Sequence, residues 1–404
     1  MPAALLEKYG KTAANPPRTE VNTVRRRSRL KAREFSRRLD QRKTVRTCGY
    51  AAGEAGVRIR ASISDGASSG GICGVKTCGS VWVCPVCASK IAASRTLDLE
   101  DGITLHAERG GSFMFLTLTS QHHKGDRLKD SWDGISGAYR KWISDGTVKR
   151  TLSELGSVGY HRTTEVTHGV NGWHVHLHLL IFLQPISDRP GDLTFSDLGN
   201  RLVGRWLCKL PSVGMRGSAL GQDWRHIYGS AESLRVLAGY VNKNQYVEST
   251  SVGTAGNLAM EMGRGDLKRA REGGETPFQI LDRLVESAGT DVEAARLWCE
   301  WSDASAGRRQ QIWSRGLRAR LDLDVERTDE EIAAEALDGT DLVALDRDIW
   351  MALLNGQTDL IDGALTACSG HVDLATAQLA VSGFLKRFGV PHRVLPLGVL
   401  GACP

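Results

Sequence analysis

No run of about 18 consecutive apolar residues occurs in this 404-residue chain, so no membrane-spanning helix is expected. Met1–Lys8 has no apolar stretch behind a basic start, which argues against a secretory signal and for a cytoplasmic protein. No internal repeat is visible. The nine cysteines are an odd number, and four of them crowd between Cys73 and Cys87, which suits a metal better than a disulfide framework. Acidic residues are scarce at the front, where residues 1–100 hold 8 Asp+Glu against 19 Lys+Arg. The balance reverses at the rear, where residues 321–404 hold 14 against 5. A basic front and an acidic rear point to a polyanion contacting the front two-thirds. Its densest stretch carries Arg25, Arg26, Arg27, Arg29 and Arg33, with Leu30 and Phe35 almost its only apolar anchors. Both a solvated helix or tail and a contact to a DNA backbone fit it.

What is present allows two or three domains, because 404 residues with 41% hydrophobic content can bury ample cores. The expected order is a basic N-terminal segment (1–47), a zinc-binding module (48–105), a strand-rich domain (106–250), a linker (251–275) and a mostly helical C-terminal domain (276–404). The Ser/Gly tract at Asp65–Gly71 reads as a loop. Phe113–Thr119 is apolar and β-rich, and Leu128, Trp132, Ile135, Tyr139 and Trp142 recur at helical spacing. Gly159–Thr167 and Trp173–Leu183 read as strands joined by a short turn at Gly169–Gly172. Leu198–Leu210 and Ser233–Val247 read as helices. Residues 276–404 show little β character and no catalytic cluster. Their tryptophans, Trp298, Trp301, Trp313 and Trp350, read as core.

The cysteine cluster runs Cys73-x4-Cys78-x5-Cys84-Pro85-Val86-Cys87. A Cys-x2-Cys knuckle lets two thiolates from one tight turn bind a tetrahedral Zn²⁺, and Cys78 and Cys73 can supply the other pair. Cys48 is a fifth candidate that could replace Cys73. Four thiolates fill the shell, so this zinc would be structural. No thioredoxin-like βαβ pattern surrounds Cys84 and Cys87, which argues against a redox pair.

In Trp173-His174-Val175-His176-Leu177-His178-Leu179, strand period two puts three imidazoles on one face. Such a triplet is costly unless a metal uses it. With the turn at Gly169–Gly172, cross-strand partners place Glu165 opposite His176, Thr167 opposite His174 and Thr163 opposite His178. Glu165 then joins His174, His176 and His178 on one face. That mixed N/O set fits Mn²⁺ or Mg²⁺, and the ligands alone leave Zn²⁺ open. A metal with open positions would act there as a Lewis acid.

Further on, Tyr240 and Lys243 share a helix face, whereas Tyr246 lies about 120° away. Phe115-Leu116-Thr117-Leu118-Thr119, then His174-Val175-His176-Leu177-His178, then Tyr240-x-x-Lys243 stand in the order of three motifs of rolling-circle replication initiators. The chain resembles the HUH endonuclease superfamily, in particular the single-tyrosine plasmid Rep proteins of Gram-positive and actinobacterial plasmids. The segment Cys78–Ala88 and the stretches Thr276–Leu281 and Gly307–Arg318 look like the actinobacterial members, so the resemblance spans about residues 48–320.

That resemblance implies an α+β fold with a central antiparallel sheet of HUH type, flanking helices, a small four-cysteine zinc module before it and a mostly helical domain after it. It implies that His176 and His178, with Glu165, hold a divalent metal (Mn²⁺ or Mg²⁺). It makes Tyr240 the nucleophile that nicks one strand at a double-strand origin, keeping the 5′-phosphate and leaving a 3′-hydroxyl primer. Lys243 would orient the phosphate or support the phenolate. Origin DNA, double- and single-stranded, and a host helicase are the implied partners. One departure stands out: some single-tyrosine relatives carry an acid four residues before the tyrosine, where this chain has Val236, and Glu232 lies two helical turns from Tyr240. A relaxase or transposase shares the chemistry. A zinc-dependent DNA-binding regulator without nuclease activity is the reading from another class.

Overall fold

Alternating apolar residues and glycine-closed turns along this chain give two antiparallel sheets, each with its own helices. The computed structural model describes residues 18–185, 194–227, 274–336 and 338–397, with side chains from Arg29 onward. These group into two units. One contains the described residues before Phe35, Thr47–Thr77 and those from Ala334 onward; the other contains Phe35–Arg46 and Cys78–Ala333. Among the described residues no helix is long and apolar enough to cross a membrane.

In the first unit, β1 (Val57–Ser64) and β2 (Ala67–Cys73) form a hairpin, so the Ser/Gly tract is largely strand rather than loop. Small residues suit this strand for a steric reason. A Cβ on Gly70 would sit 2.2 Å from Cys368 Sγ and 2.8 Å from Leu365 O. These two atoms belong to or directly follow α12 (Thr358–Ala367), which packs on β2. The sheet order is β10-β9-β1-β2, with β9 (Thr340–Leu345) and β10 (Arg393–Val394) supplied by the C-terminal region. That region therefore carries strands that its helical periodicity hid, and its pairing with β1 crosses the linear domain boundaries expected above. Asp341 of β9 ties the pair, accepting from Arg60 at 2.8 Å. Helices α11 (Arg347–Gly356) and α13 (Leu374–Arg387) complete the unit, and buried Trp350 of α11 donates to Gly49 O at 2.7 Å.

The basic N-terminal stretch is a helix, α1 (Arg18–Leu39), and its later half is not a solvated tail. Leu30, Ala32, Arg33 and Ser36 are buried. Arg33 lies against Gly49, whose φ of +90° and lack of a Cβ admit the guanidinium. Burial thus removes Arg33 from the expected DNA contacts. Arg29 is half-buried, and the side chains of Arg25, Arg26 and Arg27 lie outside the described residues.

The second unit holds the strand-rich core. Its sheet runs β6-β3-β5-β4-β7, where β3 is Ser112–Thr119, β4 Ser157–Gly169, β5 Gly172–Leu183, β6 Asp223–Ile227 and β7 Gly274–Glu275. The short strand β8 (Gln311–Trp313) also pairs with β4. All these pairings are antiparallel. At one end of β5, Leu180 and Phe182 pack with Phe113 and with Leu99 and Ile103 of α3 (Pro85–Glu108). The opposite face meets α4 (Leu128–Ile143), as Arg162, paired with Leu179, lies 4.8 Å over the Tyr139 ring. Beyond α4 come α5 (Gly146–Glu154) and α6 (Phe195–Lys209), which covers much of the expected Leu198–Leu210 helix.

A tryptophan cluster welds this unit together. Trp82 stands edge-on to Trp132 at 5.2 Å and to Trp301 at 5.4 Å, and Trp173 stacks on Trp301 at 6.2 Å. The Trp301 indole donates to Trp82 O at 2.9 Å. Trp301 belongs to α8 (Val292–Ser305), which packs with α7 (Pro277–Glu286). The reading of Trp298, Trp301 and Trp350 as core residues holds, since all three are buried.

Candidate metal centre

The hairpin of β4 and β5 builds this site by register alone. Gly169 pairs with Gly172, whose φ of +86° closes the turn in a region open to glycine. From there Thr167 pairs with His174, Glu165 with His176 and Thr163 with His178, as the count from the turn requires. On the reverse face Val175, Leu177 and Leu179 are buried, which fixes the register because a one-residue slip would expose them.

Glu165, His176 and His178 each offer a ligand atom, and these atoms lie within 4.8 Å of one another. All three are half-buried. His178 Nε2 is 3.0 Å from Glu165 Oε2, and His178 Nδ1 is 3.1 Å from Thr117 Oγ1. A carboxylate with two imidazoles fits a divalent cation that accepts mixed N/O ligands. His174 stands outside that triad. Its Nδ1 is 2.7 Å from His176 Nε2, its Nε2 contacts Thr119 Oγ1, and the His122 ring stacks on it at 4.1 Å. Burial first, then the neighbouring His122, pushes its pKa down to about 4 against an opposing pull from Glu165. His174 is therefore neutral at pH 7.

Sequence reasoning passed over Thr117, Thr119 and His122. The alternation of Phe115–Thr119 could have placed both threonines on one face. That they face the histidines depends on β3 pairing with β5, Thr117 opposite His178 and Thr119 opposite His176. No sequence signal marks His122. Tyr240, Lys243 and Tyr246, with Val236, Glu232 and the Ser233–Val247 helix, lie outside the described residues.

A second metal-capable group lies within the second unit, where Cys78, Cys84 and Cys87 bring their sulfurs within 4.8 Å of one another. Cys73 is not among them. It ends β2 in the first unit, paired with Arg58, whose Nη2 is 3.7 Å from its sulfur. Cys84 is the N-cap of α3, Pro85 occupies the first turn, and Cys87 N donates to Cys84 Sγ at 3.5 Å. A helix N-terminus carries partial positive charge that favours anionic ligands. Clustered thiolates of this kind suit a structural site such as zinc occupies.

Of the later arginines, Arg308 pairs with Asp133 and lies over Trp132, and Arg318 pairs with Asp98 and lies over Trp313. Arg309 and Arg315 are exposed.

Residues 72–187 match the sequence model of a family described as "Replication protein", a span that contains β3 to β5 and the cysteine knuckle. "Protein rep" of Streptomyces lividans is 29% identical over 72% of this chain and 75% of its own length. "Protein rep" of Lentilactobacillus hilgardii is 32% identical over 26% of this chain and 32% of its own. A "Neomycin resistance protein" of Streptomyces cyanogenus is 29% identical over 27% of this chain and 31% of its own. No solved structure matches the chain.

Proposed function

We propose that this chain is a plasmid Rep protein, a reading supported by the family match over residues 72–187 and the likeness to "Protein rep" of Streptomyces lividans, and that it initiates rolling-circle replication by nicking one strand of origin DNA. The observation that supports the nicking reading is the gathering of Glu165, His176 and His178 on one sheet face. On this reading the second unit is an HUH-type nuclease core and its cysteine cluster holds a structural zinc.

Tyr240 is the proposed nucleophile. Its phenolate oxygen attacks the scissile phosphorus, the bond from phosphorus to the 3′ oxygen breaks, and that oxygen takes a proton to become the 3′-hydroxyl primer. The 5′-phosphate stays on Tyr240 as a phosphodiester, which conserves the bond for rejoining and removes any need for a nucleotide cofactor. Lys243 orients the phosphate or favours the phenolate. Glu165, His176 and His178 would hold Mn²⁺ or Mg²⁺, which supplies Lewis-acid polarisation of a phosphate oxygen. The half-burial of the three side chains limits competing water.

The test uses the purified chain with Mn²⁺ and a labelled single-stranded oligonucleotide from the replicon's origin, resolved on a denaturing gel. A covalent protein–DNA band lost with Tyr240→Phe and retained with Tyr246→Phe is the expected result. Loss with Tyr246→Phe alone moves the nucleophile. Tight binding with no adduct from any form favours a DNA-binding regulator.

A further inference from the structure

We infer that Thr117, Thr119 and His174 are positioning residues that set the tautomers of the two metal-binding histidines, and that His174 is not itself a ligand. This rests on reading Glu165, His176 and His178 as a divalent-metal site.

The argument is one of proton counting along short contacts. A neutral imidazole has one N–H and one lone pair, so the partner of one nitrogen decides what the other can do. For His178, Nε2 faces Glu165 while Nδ1 meets Thr117 Oγ1. If the hydroxyl accepts from Nδ1–H, the lone pair sits on Nε2, on the carboxylate's side. Phe115, stacked on the ring at 5.4 Å and 20°, holds its plane.

For His176 the chain of contacts is longer. Thr119 Oγ1 lies 3.4 Å from Ser120 O and 3.4 Å from Val175 O, both of which only accept. With the hydroxyl proton turned toward a carbonyl, Thr119 accepts from His174 Nε2–H. His174 Nδ1 then carries the lone pair and accepts from His176 Nε2–H. That order leaves His176 Nδ1 with the lone pair a metal needs. The reverse order puts a proton on that nitrogen and removes the ligand. Both nitrogens of His174 are thus engaged by protein groups, and its ring is held by His122. This gives the third histidine of the strand a use that does not require it to touch the ion.

Mn²⁺ binding to the full-length chain, measured by isothermal titration calorimetry, tests this with Thr117→Val, Thr119→Val, the two Ser variants, His174→Ala and Glu165→Ala. Urea unfolding without added Mn²⁺ runs alongside. Valine keeps the shape but cannot accept a hydrogen bond. Each Val variant should weaken Mn²⁺ binding by about 10- to 100-fold. Each Ser variant should restore it, and unfolding without added Mn²⁺ should move little. Val variants that bind as wild type overturn the positioning role, and so does a deficit that Ser fails to rescue. Abolished binding in His174→Ala with an unaffected Thr119→Val would make His174 a ligand and overturn it too. Equal binding by wild type and Glu165→Ala would instead sink the metal site underneath, a result separable from the others.

Discussion

His161 makes the strand-rich unit acid-sensitive in a way that can be calculated. The side chain is fully buried on β4, edge-on to Trp313 at 4.7 Å. Burial above all drives its pKa down to about 3; the Arg95, Arg318 and Arg162 guanidiniums push the same way, and Gln311 opposes. The folded protein therefore keeps this ring neutral at pH values where the unfolded chain, with an ordinary value of 6.5, takes up a proton. The contribution is fully present above pH 6.5 and is lost as pH falls toward 3, at about 1.4 kcal/mol per unit. Between pH 7 and pH 5 the loss from this one group is about 2 kcal/mol. Replacing it with leucine removes the titration while filling similar space. His106, His122, His168 and His174 are depressed too, but they titrate alike in both proteins and cancel in the difference. Unfolding by urea, followed by tryptophan fluorescence at pH 7 and pH 5, should show a drop smaller by about 2 kcal/mol in His161→Leu than in wild type. Equal drops would refute the assignment of a buried, neutral His161.

Three other outcomes follow from the same structure. Glu165→Ala should lower Mn²⁺ affinity by at least about tenfold and abolish the covalent adduct on origin DNA, because it removes the one carboxylate of the triad. A strong chelator, or Cys84→Ser, should release about one equivalent of zinc by elemental analysis and lower the melting temperature, since a closed thiolate site is part of the folding free energy. Cys78→Ser and Cys87→Ser should lose that zinc as well. Trp301→Ala should cost about 3–5 kcal/mol in urea unfolding, as it opens a cavity among Trp82, Trp132 and Trp173 and leaves Trp82 O without its indole donor.

The β4–β5 hairpin was legible because everything that defines it is local. Two glycines bracket the turn, period two sorts the faces, and a buried reverse face penalises any slip, so Glu165 could be set beside His176 by counting. The first unit was illegible for the opposite reason. Residues 57–61 pair with 340–345, and no short-range pattern announces a partner so far along the chain. The Gly/Ser composition of β2 disguised it further, since smallness there serves the approach of Leu365 and Cys368. Cys84 and Cys87, by contrast, were legible because a helix start fixes them together.

Thr117 and Thr119 mark the boundary between what spacing can and cannot say. Both stood in view in Phe115–Thr119, and alternation puts them on one face with certainty. Which face matters is decided by sheet order: β3 lies beside β5, not β4, so its threonines meet histidines rather than Glu165. Had β3 paired with β4 instead, the same two hydroxyls would have bonded the carboxylate and lowered its basicity, weakening a metal ligand rather than orienting two. The chemistry of a polar residue in a strand is therefore set one step above its own sequence, by the neighbour that strand acquires.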